Sequence, residues 1–132
     1  MAKTGRIWVL TLLAVAMLLS IAPSAFANEA DIRISLHSST AFPQAKSTAK
    51  YRDRGGVREF EVQVENIKAL AGSTVNVFVN GTKVGSSKVS ALGLARLSRS
   101  TERGQTVPVI RSGSLVQVRT AGGTLIVSGR FP

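Results

Sequence analysis

The chain has no cysteine, a single histidine, one tyrosine, one tryptophan and only seven acidic residues among its 132. Each scarcity excludes something. Without cysteine there is no disulfide framework, no thiolate metal site and no lipid anchor on a cysteine. His37 stands alone, so a multi-histidine metal centre is excluded. It falls at the end of the first expected strand with no nucleophile pattern beside it, and reads as a surface or edge residue rather than a general base. Asp31 and Asp53 are the only aspartates and lie far apart, so there is no oxygen-rich calcium loop.

Enzyme signatures fare no better. Glu59, Glu61 and Glu65 share one face of a single strand, whereas a glycosidase pair must flank a cleft. The glycine clusters "RGG", "NGTKVG" and "AGG" are not phosphate loops, because no helix follows them. The hydroxyl-rich "LHSST" and "LSRST" lack a nucleophile elbow. The reading is a non-catalytic protein with no cofactor.

The N-terminus carries an export pattern. Lys3 and Arg6 precede the apolar run Ile7–Ile21, and Ala25 and Ala27 occupy the small-residue positions of a cleavage site. The run is short of the ~20 residues that span a bilayer. Residues 1–27 therefore read as a signal peptide cleaved after Ala27, which places the mature chain in the periplasm or outside the cell.

Charge is unevenly spread. From Asn28 to Glu65 basic and acidic residues balance; from Asn66 to Pro132 nine Lys and Arg face Glu102 alone. That imbalance predicts a basic surface on one part of the fold.

The mature sequence has strand periodicity and glycine turns. In "DIRISLH", Ile32, Ile34 and Leu36 alternate with polar residues; "SSTAFPQAKS" reads as a loop, since Pro43 bars a central strand. The stretch "YRDRGGVREF" concentrates charge around Gly55-Gly56. A two-residue turn there opposes Asp53 to Arg58, Arg52 to Glu59, Tyr51 to Phe60, Lys50 to Glu61 and Ala49 to Val62. Opposite charges meet, so the stretch reads as a self-satisfied hairpin rather than an anion-gripping loop, with Arg54 lacking a partner.

Asn80-Gly81 predicts a second hairpin, with Val79 opposite Thr82, Phe78 opposite Lys83 and Val77 opposite Val84; Val75, Val77, Val79 and Val84 should face the core. Gly122-Gly123 predicts a third. It pairs Val118 with Val127, Arg119 with Ile126 and Leu115 with Arg130, and turns Val116, Val118, Leu125 and Val127 inward. "LGLARLSR" supplies a strand between them, and "TERGQTVPVIRSGS" a long loop. The expected architecture is all-β: one antiparallel β-sandwich of about seven to eight strands after a signal-peptide helix. Residues 28–46 form an N-terminal strand and loop, and residues 47–132 the sandwich core.

In order, "REFEVQVEN", "AGSTVNVFVNG", "LGLARL", "GQTVPVI" and "AGGTLIVSGRF" resemble small exported bacterial β-sandwich proteins of uncharacterised function, over Ser47–Pro132. The resemblance implies an immunoglobulin-like fold and no known active site. Bacterial chordin-like domains have a similar rhythm but more histidine.

The functional expectation is an exported binding or structural module of the cell envelope or extracellular space. Its basic half would meet an anionic polymer, a lipid surface or an acidic protein through Lys83, Arg96, Arg99, Arg103, Arg119 and Arg130. Phe78 and Ile126 are expected beside these cations. Nucleic acid fits less well. The mature chain has five aromatics, and Tyr51 and Phe60 are expected in the core, which leaves little for a stacking platform. The alternative is a self-assembling component that associates through a sheet edge, with the last strand "TLIVSGRF" at that edge.

Overall fold

The computed structural model describes residues 29–132; the expected signal peptide and its helix lie outside the described residues. Eight strands follow one another: β1 (Ala30–Ser38), β2 (Lys46–Arg54), β3 (Val57–Glu65), β4 (Thr74–Val79), β5 (Thr82–Lys88), β6 (Ala95–Ser100), β7 (Leu115–Thr120) and β8 (Leu125–Arg130). Short 3-10 turns at Lys68–Leu70 and Thr101–Arg103 link β3 to β4 and begin the long loop after β6. Among the described residues, no helix is long and apolar enough to cross a membrane.

The strands do not divide into the two packed sheets expected. They form one antiparallel sheet in the order β5-β4-β7-β8-β1-β2-β3-β6, curled until it is nearly closed like a barrel. The reason lies in β1. Its residues Ala30–Leu36 pair with β2, and then His37 and Ser38 pair with Ser128 and Val127 of β8. One strand thus serves both halves of the sheet. Hairpin turns report only sequential neighbours, so the sequence carries no signal for this exchange. The same pairing puts β8 inside the sheet, between β7 and β1, and not at the edge where its sequence suggested.

The two true edges, β5 and β6, approach each other. Ser87 Oγ donates to the Arg96 carbonyl at 2.8 Å and accepts from the Arg96 N–H at 3.2 Å. A side chain thus stands in for part of the missing ladder. It satisfies two backbone groups that an open edge would leave to water or to another chain.

Packing follows the period-two pattern. Val75, Val77 and Val79 of β4, Val116 and Val118 of β7, Phe60, Val62 and Val64 of β3, and Tyr51 of β2 are buried in one core. The Gly55-Gly56 hairpin has the expected register throughout. Both glycines have positive φ, 58° and 81°, as a tight two-residue turn demands. Each of the other two hairpins contains one shift: β4–β5 holds the expected register next to its turn and then shifts, whereas β7–β8 shifts beside its turn and holds the expected pairs from Val118–Val127 to Leu115–Arg130. A bulge makes Val77 oppose Gly85 in place of Val84. A second makes Arg119 oppose Leu125 in place of Ile126. Each bulge inserts one residue and turns the next side chain. Val84 and Leu125 are therefore only half-buried, while Ile126 is fully buried in the core and is no neighbour of the outer cations.

Candidate anion-binding surface

β4, β5, β7 and β8 contain no Asp or Glu. Their outward positions are set by the buried valines between them. On β7, Leu115, Gln117 and Arg119 alternate with buried Val116 and Val118. On β4, Asn76 and Phe78 alternate with Val75, Val77 and Val79. Pairing then lines up an outer row, Lys83–Phe78–Gln117–Ser128–His37, across five strands. Arg119 lies one row to one side, opposite Asn76, and Arg130 one row to the other, opposite Leu115. Lys88 adds a further charge opposite Thr74. With strands ~4.8 Å apart and ~3.3 Å per residue, Lys83, Arg119 and Arg130 stand roughly 10–16 Å from one another.

The two arginines of this face are held, yet not neutralised. Arg119 Nη1 donates to the Gly123 carbonyl at 3.0 Å, and Arg130 Nη1 to the Gly113 carbonyl at 2.9 Å. Each guanidinium is thereby anchored by one nitrogen, with the rest of its five-donor fork left over. No carboxylate pairs with Lys83, Lys88, Arg119 or Arg130 among the described residues. Half-buried Phe78 gives the patch an apolar centre.

The other three cations singled out in the sequence are not on this face. Arg96 donates to Glu61 Oε2 at 2.7 Å across the β3–β6 boundary. Arg103 donates to Ser98 Oγ at 3.2 Å and Gln105 Oε1 at 3.3 Å. Arg99 shares the inward face of β6 with buried Leu97 and lies over Gly85. A Cβ on Gly85 would lie 2.6 Å from Arg99 Nη2 and 3.0 Å from Leu97 Cδ1, so the bare glycine makes the room that this guanidinium occupies. The Nε of Arg99 is buried without a hydrogen-bond partner, as is that of Arg58. The structure thus brings together Lys83, Arg119 and Arg130 but not Arg96, Arg99 or Arg103. Lys88, one of the basic residues of this half but not one of the six candidates, belongs with the first group. The absence of acid from four whole strands was the signal that would have found it.

The charged hairpin is satisfied, though by other partners than expected. Arg52 meets Asp31 of β1 at 3.4 Å rather than Glu59. Arg54, expected to be alone, lies 3.8 Å from Asp31 and 3.9 Å from Glu29. Such exposed pairs are worth only ~0.2–1 kcal/mol each, so they orient side chains more than they stabilise the fold. Alternation also puts Asp53 and Arg58 on the side of Tyr51 and Phe60, not with the other charges.

Burial pushes the Tyr51 phenol above its ordinary pKa. The Ile110 backbone opposes that shift, nearby Asp53 adds to it and Arg58 opposes it. The native state therefore holds this proton more tightly than the unfolded chain does. Stability is unaffected below the unfolded pKa near ~10 and falls as pH rises beyond it. Tyr51→Phe is expected to flatten the alkaline limb of the stability profile, as read by urea unfolding at a series of pH values. An unchanged limb would mean that Tyr51 is not the titrating group.

Among the described residues, no group of three or more His, Cys, Asp or Glu is placed to hold a metal ion. The chain matches no protein-family model, no curated protein and no solved structure.

Proposed function

We propose that this is an exported, non-catalytic binding module of the cell envelope or extracellular space. It holds an anionic partner against the outer face of β4, β5, β7 and β8. The observation that carries this reading is the four acid-free strands, with Lys83, Lys88, Arg119 and Arg130 around Phe78. A face of one sign concentrates anions and speeds their encounter, and an apolar centre adds contact area that salt does not screen. Export rests on Lys3, Arg6, the Ile7–Ile21 run and the Ala25–Ala27 cleavage pattern. The resemblance to exported bacterial β-proteins points the same way.

The test is binding to lipopolysaccharide, anionic lipid vesicles, an acidic polysaccharide and DNA, each titrated with salt. The expected outcome is selective binding to one of the first three that weakens with salt yet persists at physiological ionic strength. Uniform weak binding that vanishes by that ionic strength would make the charge a solubility device and overturn the proposal.

A further inference from the structure

A second feature lies on the β1–β2–β3 part of the sheet, adjoins the first face at His37 and uses none of those cations. Where β1 passes from β2 to β8, the outer face encloses an open groove of about 510 Å3. Arg33, Ser35 and His37 of β1 and Lys46 and Thr48 of β2 line it, with Gln63 and Glu65 of β3 along the far side. These seven are outward positions, alternating with buried or half-buried Ile34, Leu36, Ser47, Ala49, Val62 and Val64, and Leu36, Ser38, Ala45 and Ser47 complete the lining where β1 leaves β2.

Pairing arranges them in rows. Ser35 opposes Thr48, and Thr48 opposes Gln63, which makes a middle row of two hydroxyls and an amide. On one side Arg33 opposes Lys50. On the other, Lys46 opposes Glu65, and His37 follows the last β1–β2 pair, Leu36 with Ser47. The two cationic ends are four residues apart along a strand, ~13 Å. None of Arg33, Lys46 and Lys50 makes an ion pair among the described residues. Of the nearby carboxylates, Glu61 is paired with Arg96, and Glu65, opposite Lys46, accepts only from the neutral Gln63 amide at 2.9 Å.

We propose that this groove binds an acidic oligosaccharide, with sugar hydroxyls on the Ser35–Thr48–Gln63 row and carboxylates on Arg33 and Lys46. The volume suits a short oligosaccharide. The middle row offers donors and acceptors at close spacing, which is what a polyol needs. No Phe, Tyr or Trp lines the groove, so a neutral sugar would have no stacking surface. The cations at both ends would supply charge-assisted hydrogen bonds in its place.

The probe is a galacturonic acid tetrasaccharide, titrated into the protein and followed by amide shifts and calorimetry. Shifts are expected on residues 33–37, 46–48 and 63–65. Arg33→Gln and Lys46→Gln should each weaken binding about tenfold, and methyl esterification of the sugar carboxyls by at least that much. Neutralising Lys83, Arg119 and Arg130 should leave it unchanged, which separates this site from the proposed basic face. Absence of binding, equal affinity for the methyl ester, or shifts confined to β4, β5, β7 and β8 would each overturn the assignment.

Discussion

Gly93→Ala is expected to destabilise the protein by about 3 kcal/mol, a large share of the ~5–15 kcal/mol that holds a domain together. Two costs combine. Gly93 has φ of 81°, a conformation that charges an alanine ~1–2 kcal/mol. It also sits against backbone. A Cβ there would lie 2.6 Å from Lys68 N and 2.8 Å from Lys68 Cα, atoms that cannot swing aside as a side-chain end does. Over-packing of this kind adds ~1–3 kcal/mol. The contact matters because the loop before β6 docks here: the Ile67 N–H donates to the Gly93 carbonyl at 3.1 Å, and Ile67 is buried in the core. Gly72→Ala is the control. Gly72 has φ of 83°, nearly the same conformation, with open space where its Cβ would be, so it should cost only the conformational part. Urea midpoints of the two variants decide the matter. Equal losses would mean that the loop does not pack on Lys68.

The second large effect concerns binding. Replacing Lys83, Arg119 and Arg130 together by glutamine should weaken the anionic partner selected by the panel roughly ten- to hundredfold, three surface contacts at ~0.5–1 kcal/mol each. The fold should survive, because all three side chains point outward and only two carbonyls, of Gly113 and Gly123, lose a donor. The matched triple variant at Arg96, Arg99 and Arg103 should bind the anion nearly as the parent does. Arg96 is neutralised by Glu61, Arg99 is turned inward and Arg103 is tied to Ser98 and Gln105. That second triple should instead lose stability, since Arg99 fills the space above Gly85. The two triples thus separate a binding role from a packing role among residues that look alike in the sequence.

How far the sequence could be read depends on distance along the chain. Turn chemistry and alternation are local, so the Gly55-Gly56 hairpin was legible to the last pair, from Ala49–Val62 to Asp53–Arg58. The Asn80-Gly81 hairpin was legible from its turn to the bulge at Val77, and the Gly122-Gly123 hairpin from Val118–Val127 to Leu115–Arg130 but not at Arg119, beside its turn. A bulge responds to what must be buried or accommodated from another strand, as where Arg99 of β6 lies over Gly85 of β5, and no pattern within the hairpin announces it. Ion pairs followed the same rule. Arg52 and Lys50 were correctly set opposite Glu59 and Glu61, yet Arg52 pairs with β1 and Glu61 with β6, because a strand inside a sheet has two neighbours and the sequence showed one. The closing of the sheet through β1 and through Ser87–Arg96 was invisible for that reason. The candidate face was half legible: Lys83, Arg119, Arg130 and Phe78 were named and Lys88 was not, whereas the three arginines around β6 had to be placed in space before they could be set aside.

We propose that the charge on the outer face of β4, β5, β7 and β8 holds the partner. The most direct measurement is the salt dependence of affinity for the selected anion, with the parent and the Lys83→Gln, Arg119→Gln, Arg130→Gln variant side by side. The slope of log affinity against log salt is expected to become shallower in the variant in proportion to the charges removed. Identical slopes for the two proteins would contradict it.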